Sequence, residues 1–485
     1  MKKMFWIVIL GVGCCLKTVG QIADSAGAAA QSLKTMTLVE CVQIALKNNQ
    51  SVYMANFNAE TQAVYHSQAK ASVFPSVNST IDHGLNTGRS INPSDNSYLS
   101  QSFTSANYNL NASFSLWNGF KIRNYIRKTD LDERSGRLDA QQQEDAITIE
   151  VIAAYLDILN QQELLNNLYR QELTTQVQYN RLDTLNQSGA ASPADLYDIK
   201  GQLNSSEIAI IDQKNAIKTA KITLFQLLNL PLDMGIVLEA PGKSIRPDQP
   251  AAGSIDEIYS HSLESLPMIK SSKLKLESAG RQVAINRADY YPSLTLNGGL
   301  GTAFSSAANR SVPGDILRQE TGAYVLNGAE QQPVYQDVAM MGTQKIPYWD
   351  QLKNNYGANV NLTLNIPIFN GLQTKSNVKI ARIQEKQAKL ELSTTETQLK
   401  NAIGKAYFDA GAAMDAWLKQ QEQVAAYQEY FRISEVKFNA GAINSSEYLI
   451  AKNKLSQAEN SLVAAKYNYI FKSKILSYYE GTLSL

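Results

Sequence analysis

Tyr356 to Gly371 reads YGANVNLTLNIPIFNG, and this stretch decides the fold. Tyr356, Ala358, Val360, Leu362, Leu364, Ile366 and Ile368 alternate with Gly357, Asn359, Asn361, Thr363 and Asn365. A period of two is a strand with one apolar and one polar face. The polar face carries small uncharged Asn and Thr, not the Lys and Glu of a solvated sheet. A strand apolar on one side and wet on the other fits the wall of a transmembrane β-barrel. Taken alone, the stretch fits a strand of a soluble sandwich equally well. The rest of the chain separates the two.

The chain repeats itself. Phe74-Pro75-Ser76 recurs as Tyr291-Pro292-Ser293, 217 positions on. Leu116-Trp117-Asn118-Gly119 recurs as Ile368-Phe369-Asn370-Gly371, 252 positions on, and Ala154-Tyr155-Leu156-Asp157 recurs as Ala406-Tyr407-Phe408-Asp409 at the same spacing. Gly189 and Gly441 are also 252 apart. The difference is an insertion between the two strands of the second copy. Each half therefore reads helix, strand, loop, strand, long helix, turn, helix. The expected first copy is 37–230 with its strands inside 74–118, and the second is 254–485 with its strands inside 291–370. A Pro/Gly-rich linker, 231–253, joins them.

The first helices are expected over about Leu38–Ala71 and Ile255–Tyr290. The strand after Tyr108 is clean: Tyr108, Leu110, Ala112, Phe114 and Leu116 against Asn109, Asn111, Ser113 and Ser115. Val77, Ile81 and Leu85 mark a weaker strand, in which Ser79 and His83 share the apolar face, and Leu294, Leu296 and Leu300 mark another. Phe74, Trp117, Tyr291 and Phe369 stand at the helix-proximal ends of the four strands, where an aromatic girdle is expected. At the far ends, about 87–105 and 303–355 read as long loops. Four strands cannot close a membrane barrel, which needs about eight, and an open edge in lipid is not tolerated. Three copies would supply about 12 strands and two about eight.

Gly119 to about Asn186 and Gly371 to about Phe438 contain no Pro, so each is expected as one helix of about 65 residues and about 100 Å. The return helices carry a heptad seam of Tyr448, Leu455, Leu462, Tyr469 and Leu476, with Ala451, Ala458 and Ala465 beside it. Leu196, Leu203, Ile210, Ile217 and Leu224 repeat the seam in the first half. Ser192-Pro193-Ala194-Asp195 and Asn444-Ser445-Ser446-Glu447 open the return helices. Asp195 and Glu447 complement helix N-termini, and rings of them are candidates for a pore mouth.

Lys+Arg is 45 against 44 Asp+Glu, so no bulk charge draws nucleic acid. Lys2 and Lys3 followed by apolar Met4 to Leu16 read as a leader over 1–20, cleaved after Gly20 or after Ala30. Residues 21–36 then form an N-terminal tail. Cys14 or Cys15 is a candidate for lipidation, although Gly11 replaces the usual lipobox Leu. Without the leader only Cys41 remains, so no disulfide forms within the chain. His66, His83 and His261 lack metal-ligand spacing, no phosphate loop is present, and no catalytic residue or cofactor site is expected. Gly298-Gly299-Leu300-Gly301 reads as close packing or a bend within a strand.

These residues resemble the TolC-type outer-membrane efflux proteins over nearly the whole mature chain. The resemblance rests on TLVECVQIALKNNQSV (Thr37–Val52), the FPS and YPS strand starts, LWNG and IFNG, and the two turns at Gly189 and Gly441. It implies a mainly α protein with a membrane β-barrel: a homotrimer with a 12-stranded barrel in the outer-membrane lipid and a periplasmic α-barrel of long antiparallel coiled-coil helices. It implies a passive exit duct served by a periplasmic adaptor and an inner-membrane pump. Gly189 and Gly441 would mark the tip where the adaptor docks, Glu447 the constriction, and Phe438 an aromatic tie of the closed state. Ile450 and Ile443 stand where some members have a second acid and a basic gate residue. The rival readings are the duct of a type I protein secretion system and a trimeric coiled-coil surface anchor without a lumen. Tyr335, Tyr348 and Trp349 in the long second loop are expected to cap the outer mouth.

Overall fold

The computed structural model describes residues 35–91, 98–100, 102–232, 237–239 and 253–483. The expected leader, Cys14, Cys15 and most of the linker lie outside these residues. In chain order the elements begin with β1 (Thr35–Met36), α1 (Leu38–Asn48), α2 (Gln50–Ala71) and β2 (Ser76–Asn86). Then come β3 (Ser90–Ile91), β4 (Tyr98–Leu99), β5 (Phe103–Trp117), α3 (Lys121–Gln187) and α4 (Pro193–Leu228). After β6 (Val237–Leu238) follow α5 (Ile255–Ser265), α6 (Pro267–Ala288), β7 (Ser293–Ser305), β8 (Asn309–Asn327) and β9 (Glu330–Lys345). The chain ends with α7 (Tyr348–Asn354), β10 (Gly357–Asn365), α8 (Gln373–Asn439) and α9 (Ser445–Glu480).

Both long helices have 67 residues and both return helices 36, and each second member starts 252 positions after the first. The single first helix expected in each half is instead two. Asn49 breaks the first pair, accepting a hydrogen bond from the Ser51 amide as the cap of α2. Pro267 breaks the second, because it disfavours a helical Leu266 before it. β10 stops at Asn365 although the apolar alternation runs on to Ile368, since Pro367 has no N–H to give a ladder. The segment 303–355, expected as a loop, holds the antiparallel hairpin β8–β9 and the short α7. Two bulges in β8, at Pro313/Ile316 and Glu320/Tyr324, break its alternation, so no period of two was visible there.

Two compact units divide the chain: Met1–Ala45 with Val151–Arg246 and Leu485, and Leu46–Glu150 with Pro247–Ser484. In the first, β1 and β6 pair in parallel, and Tyr155 donates from its hydroxyl to the Glu239 carbonyl at 2.5 Å. Cys41 is buried there, and burial pushes its thiol up to about 11, leaving it unreactive. In the second, Ile258, Leu266, Ile269, Leu399, Ile403 and Leu476 form a core between α5, α6, α8 and α9. The same unit holds a four-stranded antiparallel sheet of order β10-β7-β5-β2.

Candidate functional site

The register assigns the side chains of the sheet to two faces, except at Leu116, where β5 bulges and Trp117 comes opposite Leu294. Leu364 lies opposite Leu294, Leu362 opposite Leu296, Phe114 opposite Leu296, Leu110 opposite Leu300, and Ile81 opposite Tyr108. One face is thus apolar across all four strands, and Val77, Ile81, Leu85, Leu110, Val360, Leu362 and Leu364 are exposed on it. His83 lies on this face, opposite Ala106. The other face is polar and almost uncharged: Asn78, Thr80, Asn109, Asn111, Ser113, Asn297, Asn359, Asn361 and Thr363, with Asp82 as its one acid. Ser113 Oγ donates to Asn297 Oδ1 at 2.9 Å across β5 and β7.

Gly299 and Gly301 are the close-packing feature of this polar face. A Cβ on Gly299 would overlap Asn359 Oδ1, and one on Gly301 would lie 2.9 Å from Asn109 Oδ1. Glycine here leaves room for the asparagines on the flanking strands. Gly299→Ala is expected to turn the Asn359 side chain aside and cost about 1 kcal/mol, with Gly298→Ala, which meets open space, near neutral. Thermal unfolding of the two variants side by side checks this.

Both outer edges of the sheet, β2 and β10, are unpaired, and every described residue of β10 is exposed. Phe74, Trp117, Tyr291 and Phe369 stand at or just beyond the helix-proximal strand ends, all exposed. Trp117 meets Phe120 edge-on, ring centroids 4.6 Å apart. At the other end Tyr348 packs on Phe304 and Trp349, and its hydroxyl lies 2.5 Å from that of Tyr108. Tyr335 lies on the hairpin, its hydroxyl donating to Glu320 at 3.1 Å.

Below the sheet, α3 packs against α2 and α6. His66 Nδ1 lies 3.1 Å from Thr129 Oγ1, and the Ala59 backbone of α2 approaches Gly136. Ser278 Oγ donates to Asp132, and Ser271 Oγ to Asp139. α6 in turn lies against α8, on which Thr374, Val378 and Ala381 are buried. Two helix faces are left bare: Met54, Phe57 and Val64 on α2, and Ile380, Ile383 and Leu390 on α8.

The turns between long and return helices use glycine for a physical reason. Gly189 has φ +73° and Gly441 +72°, the left-handed region that closes a helix C-terminus. Ala190 N–H bonds the Leu185 carbonyl and Ala442 N–H that of Lys437, each a six-residue closure. Ser192 caps α4 by accepting from the Ala194 amide, and Asn444 caps α9 by accepting from Glu447 at 2.9 Å. Asp195 and Glu447 thus both sit in helix first turns. Glu447 is exposed, and Ile450 and half-buried Ile443 flank it.

Phe438 has an intrachain role that its spacing alone did not reveal. It stacks on Tyr448, ring centroids 4.7 Å apart and planes 21° apart, and Phe431 closes on the same ring at 5.5 Å. Tyr448 is buried, so these rings tie α8 to α9 one turn behind the tip. One turn further, buried Lys452 has its ammonium lowered to about 8 by desolvation. Gly189 and Asp195 belong to the other unit and build their own turn there.

Among the described residues no helix is long and apolar enough to cross a membrane, and no cluster of His, Cys, Asp and Glu has metal-site geometry. The sequence model of the outer membrane efflux protein family matches residues 41–230 and 258–477. Outer membrane efflux protein BepC of Brucella suis is 20% identical over 368 residues, covering 74% of this chain and 69% of that one. Toxin and drug export protein A of Aggregatibacter actinomycetemcomitans is 21% identical over 450 residues, covering 90% and 84%. The Campylobacter jejuni CmeC outer membrane channel superposes with a TM-score of 0.74 at 19% identity, over 92% of this chain and 86% of that one.

Proposed function

The chain belongs to the outer membrane efflux protein family, and from that membership we propose a homotrimeric exit duct whose shared barrel spans the outer membrane. The observation that carries the assembly is a set of contacts made once but provided for twice. β5 pairs with β7, and the same step along the repeat gives β10 with β2. Gly119 is covered by the Ala288 carbonyl and Tyr291, while Gly371 faces open space where the equivalent partners are Ala71 and Phe74. Asp132 of α3 accepts from Ser278 of α6, while the equivalent Gln384 and Thr61 are both exposed, Thr61 donating to the Phe57 carbonyl of its own helix. Each missing partner is supplied by a second copy, and repetition closes a ring in which no edge meets lipid.

The repeat also states the register of the seam. Ala112 opposite Gly298 becomes Leu364 opposite Ile81 of the next copy. Cysteines at these two positions are expected to cross-link copies, because paired Cα atoms at about 4.5–5.5 Å suit a disulfide. Cys41, buried and unreactive, does not compete. A ladder ending at three chains supports the trimer and a ladder ending at two sinks it. Thr363→Cys with Ile81→Cys, on opposite faces, is the control.

The apolar face meets lipid and the asparagine face lines the lumen, with Phe74, Trp117, Tyr291 and Phe369 as the girdle on the periplasmic side. This almost uncharged wall suits a passive conduit, with energy supplied by an inner-membrane pump reached through a periplasmic adaptor at the tips near Gly189 and Gly441. Toxin and drug export protein A carries both cargo classes in its name, so type I secretion is the second reading. Exposed Glu447, in the first turn of α9, is the candidate for the periplasmic mouth. Glu447→Ala is expected to lower cation selectivity in planar bilayers while costing about 0.3–1 kcal/mol as a helix-start charge. An unchanged pore would leave Glu447 a helix-start residue only.

A further inference from the structure

The whole chain carries a net charge of +1, yet its cations are not spread evenly. Residues 373–389, the start of α8, hold five Lys or Arg and one Glu, and residues 121–137, the start of α3, hold six against three acids. On α8 the five are Lys375, Lys379, Arg382, Lys386 and Lys389, spaced four, three, four and three. That spacing puts them in one stripe along the helix. The equivalents on α3 are Arg123, Arg127, Arg134 and Arg137, with Asp130 in the fifth place. All nine cations are exposed.

A solvated stripe of this kind is ordinarily laced with acids. Arg134 and Arg137 do pair with Asp130 and Glu133 on their own helix. Among the described residues, Arg123, Arg127 and the five of α8 form no ion pair, while Lys121, Lys128 and Lys275, at helix contacts in the same region, each have an aspartate.

The side on which the stripe lies can be read from the sheet. Gln373 and Asn377 line a cleft of about 430 Å³ with Ser293 and Asn365, which belong to the polar face. At 100° per residue, Lys379 lies about 200° round α8 from Asn377, and Lys386 about 200° from Gln384, which lines a neighbouring cleft together with Asn377. Lys121 shares the same cleft, and Arg123 lies about 200° round α3 from it. Both stripes therefore face the side of the sheet's apolar face, outside the duct, and begin where the exposed rim of Trp117, Phe120 and Phe369 stops.

We propose that these stripes form a collar for the anionic phospholipid headgroups of the periplasmic leaflet. The proposal rests on the reading that the sheet spans the membrane. Distance grades the collar. Lys375 to Lys389 is about 21 Å along the helix. A headgroup layer is about 5–7 Å deep and a Debye length adds about 8 Å at physiological salt. Arg123, Arg127, Lys375 and Lys379 lie within that reach, and Lys386 and Lys389 beyond it.

The test reads lipid selection at Trp117. In a Trp6→Phe, Trp349→Phe background, Trp417 is too far along α8 for lipid quenching to reach it. The protein is reconstituted in brominated phosphatidylcholine, and unbrominated phosphatidylglycerol or phosphatidylcholine is added. Phosphatidylglycerol is expected to displace the quencher about threefold better than phosphatidylcholine, less so in high salt. Arg123→Gln, Arg127→Gln, Lys375→Gln and Lys379→Gln together are expected to abolish the preference, and Lys386→Gln with Lys389→Gln to leave most of it. Equal displacement by both lipids in the unsubstituted stripe overturns the collar, as does a preference that survives the four substitutions or falls equally with the two deeper ones. Binding of a soluble anionic polysaccharide without lipid preference would assign the stripes to a glycan and overturn it too. No quenching of Trp117 by brominated lipid would overturn the membrane reading itself. Thermal unfolding of each variant confirms that the helices are intact.

Discussion

Leu362→Arg is expected to remove the protein from the membrane-inserted, assembled fraction, while Thr363→Arg, one residue on, leaves assembly in place and changes conductance. The two positions are neighbours on β10 with the same backbone environment and opposite faces. Leu362 sits mid-strand on the apolar face, exposed and opposite Leu296. A guanidinium at the bilayer midplane of a barrel costs about 2–4 kcal/mol in each chain, and every copy of the proposed ring would bear it. Thr363 points the other way, among Asn361, Asn297 and Thr295, where a charge stays in water. Membrane fractionation with native gels reads the first effect, and single-channel recording reads the second. If both substitutions were tolerated in assembly, the apolar face would not be a lipid face. The soluble-sandwich reading of this stretch would then return.

Ile403→Ala is expected to be the most destabilising single truncation in the helical part, at about 2–5 kcal/mol. Ile403 is fully buried, at 0% exposure, among Ile258, Leu266, Ile269, Leu399 and Leu476, contributed by four helices. Removing its branched end leaves a cavity that stiff long helices cannot easily collapse into. Ile403→Val, which removes one methylene, should cost about 0.5–1.5 kcal/mol. Thermal unfolding followed by helical circular dichroism measures both. The same change at exposed Phe408, five residues on, should leave the melting of the separate chain unaltered. Equal losses at the two positions would mean that the core is not where the packing puts it.

Several parts of the structure were readable because they are periodic. Alternation along β5 and β10 assigned residues to faces, and the pairing register agrees from Tyr108 to Ser115 and from Gly357 to Asn365; at Leu116 a bulge brings Trp117 opposite Leu294 instead. The seam of α9 is also buried or half-buried from Tyr448 to Leu476. Other parts were illegible for definite reasons. Two bulges hide the alternation of β8, so the hairpin read as a loop. A single Asn49 and a Leu266-Pro267 pair divide helices whose apolar pattern continues across the break. Phe438 stacks on Tyr448 across a turn, a contact between helices that spacing along one helix does not contain.

The sequence alone determined the two faces of the strands, the 252-residue recurrence and the length of the helices. All three follow from side-chain periods of two and 3.6 and from the absence of proline, which are local properties of the chain. Only the tertiary structure decided the strand order β10-β7-β5-β2, and with it which two edges are left open. It alone decided that Gly119 is covered while Gly371 is bare, and that Lys121, Gln373 and Asn377 share one cleft with Ser293 and Asn365. The β5–β7 ladder and the cover of Gly119 by Ala288 and Tyr291 depend on contacts between residues more than a hundred positions apart. Such contacts are set by which apolar surfaces meet when the chain closes on itself, and no local pattern encodes that choice.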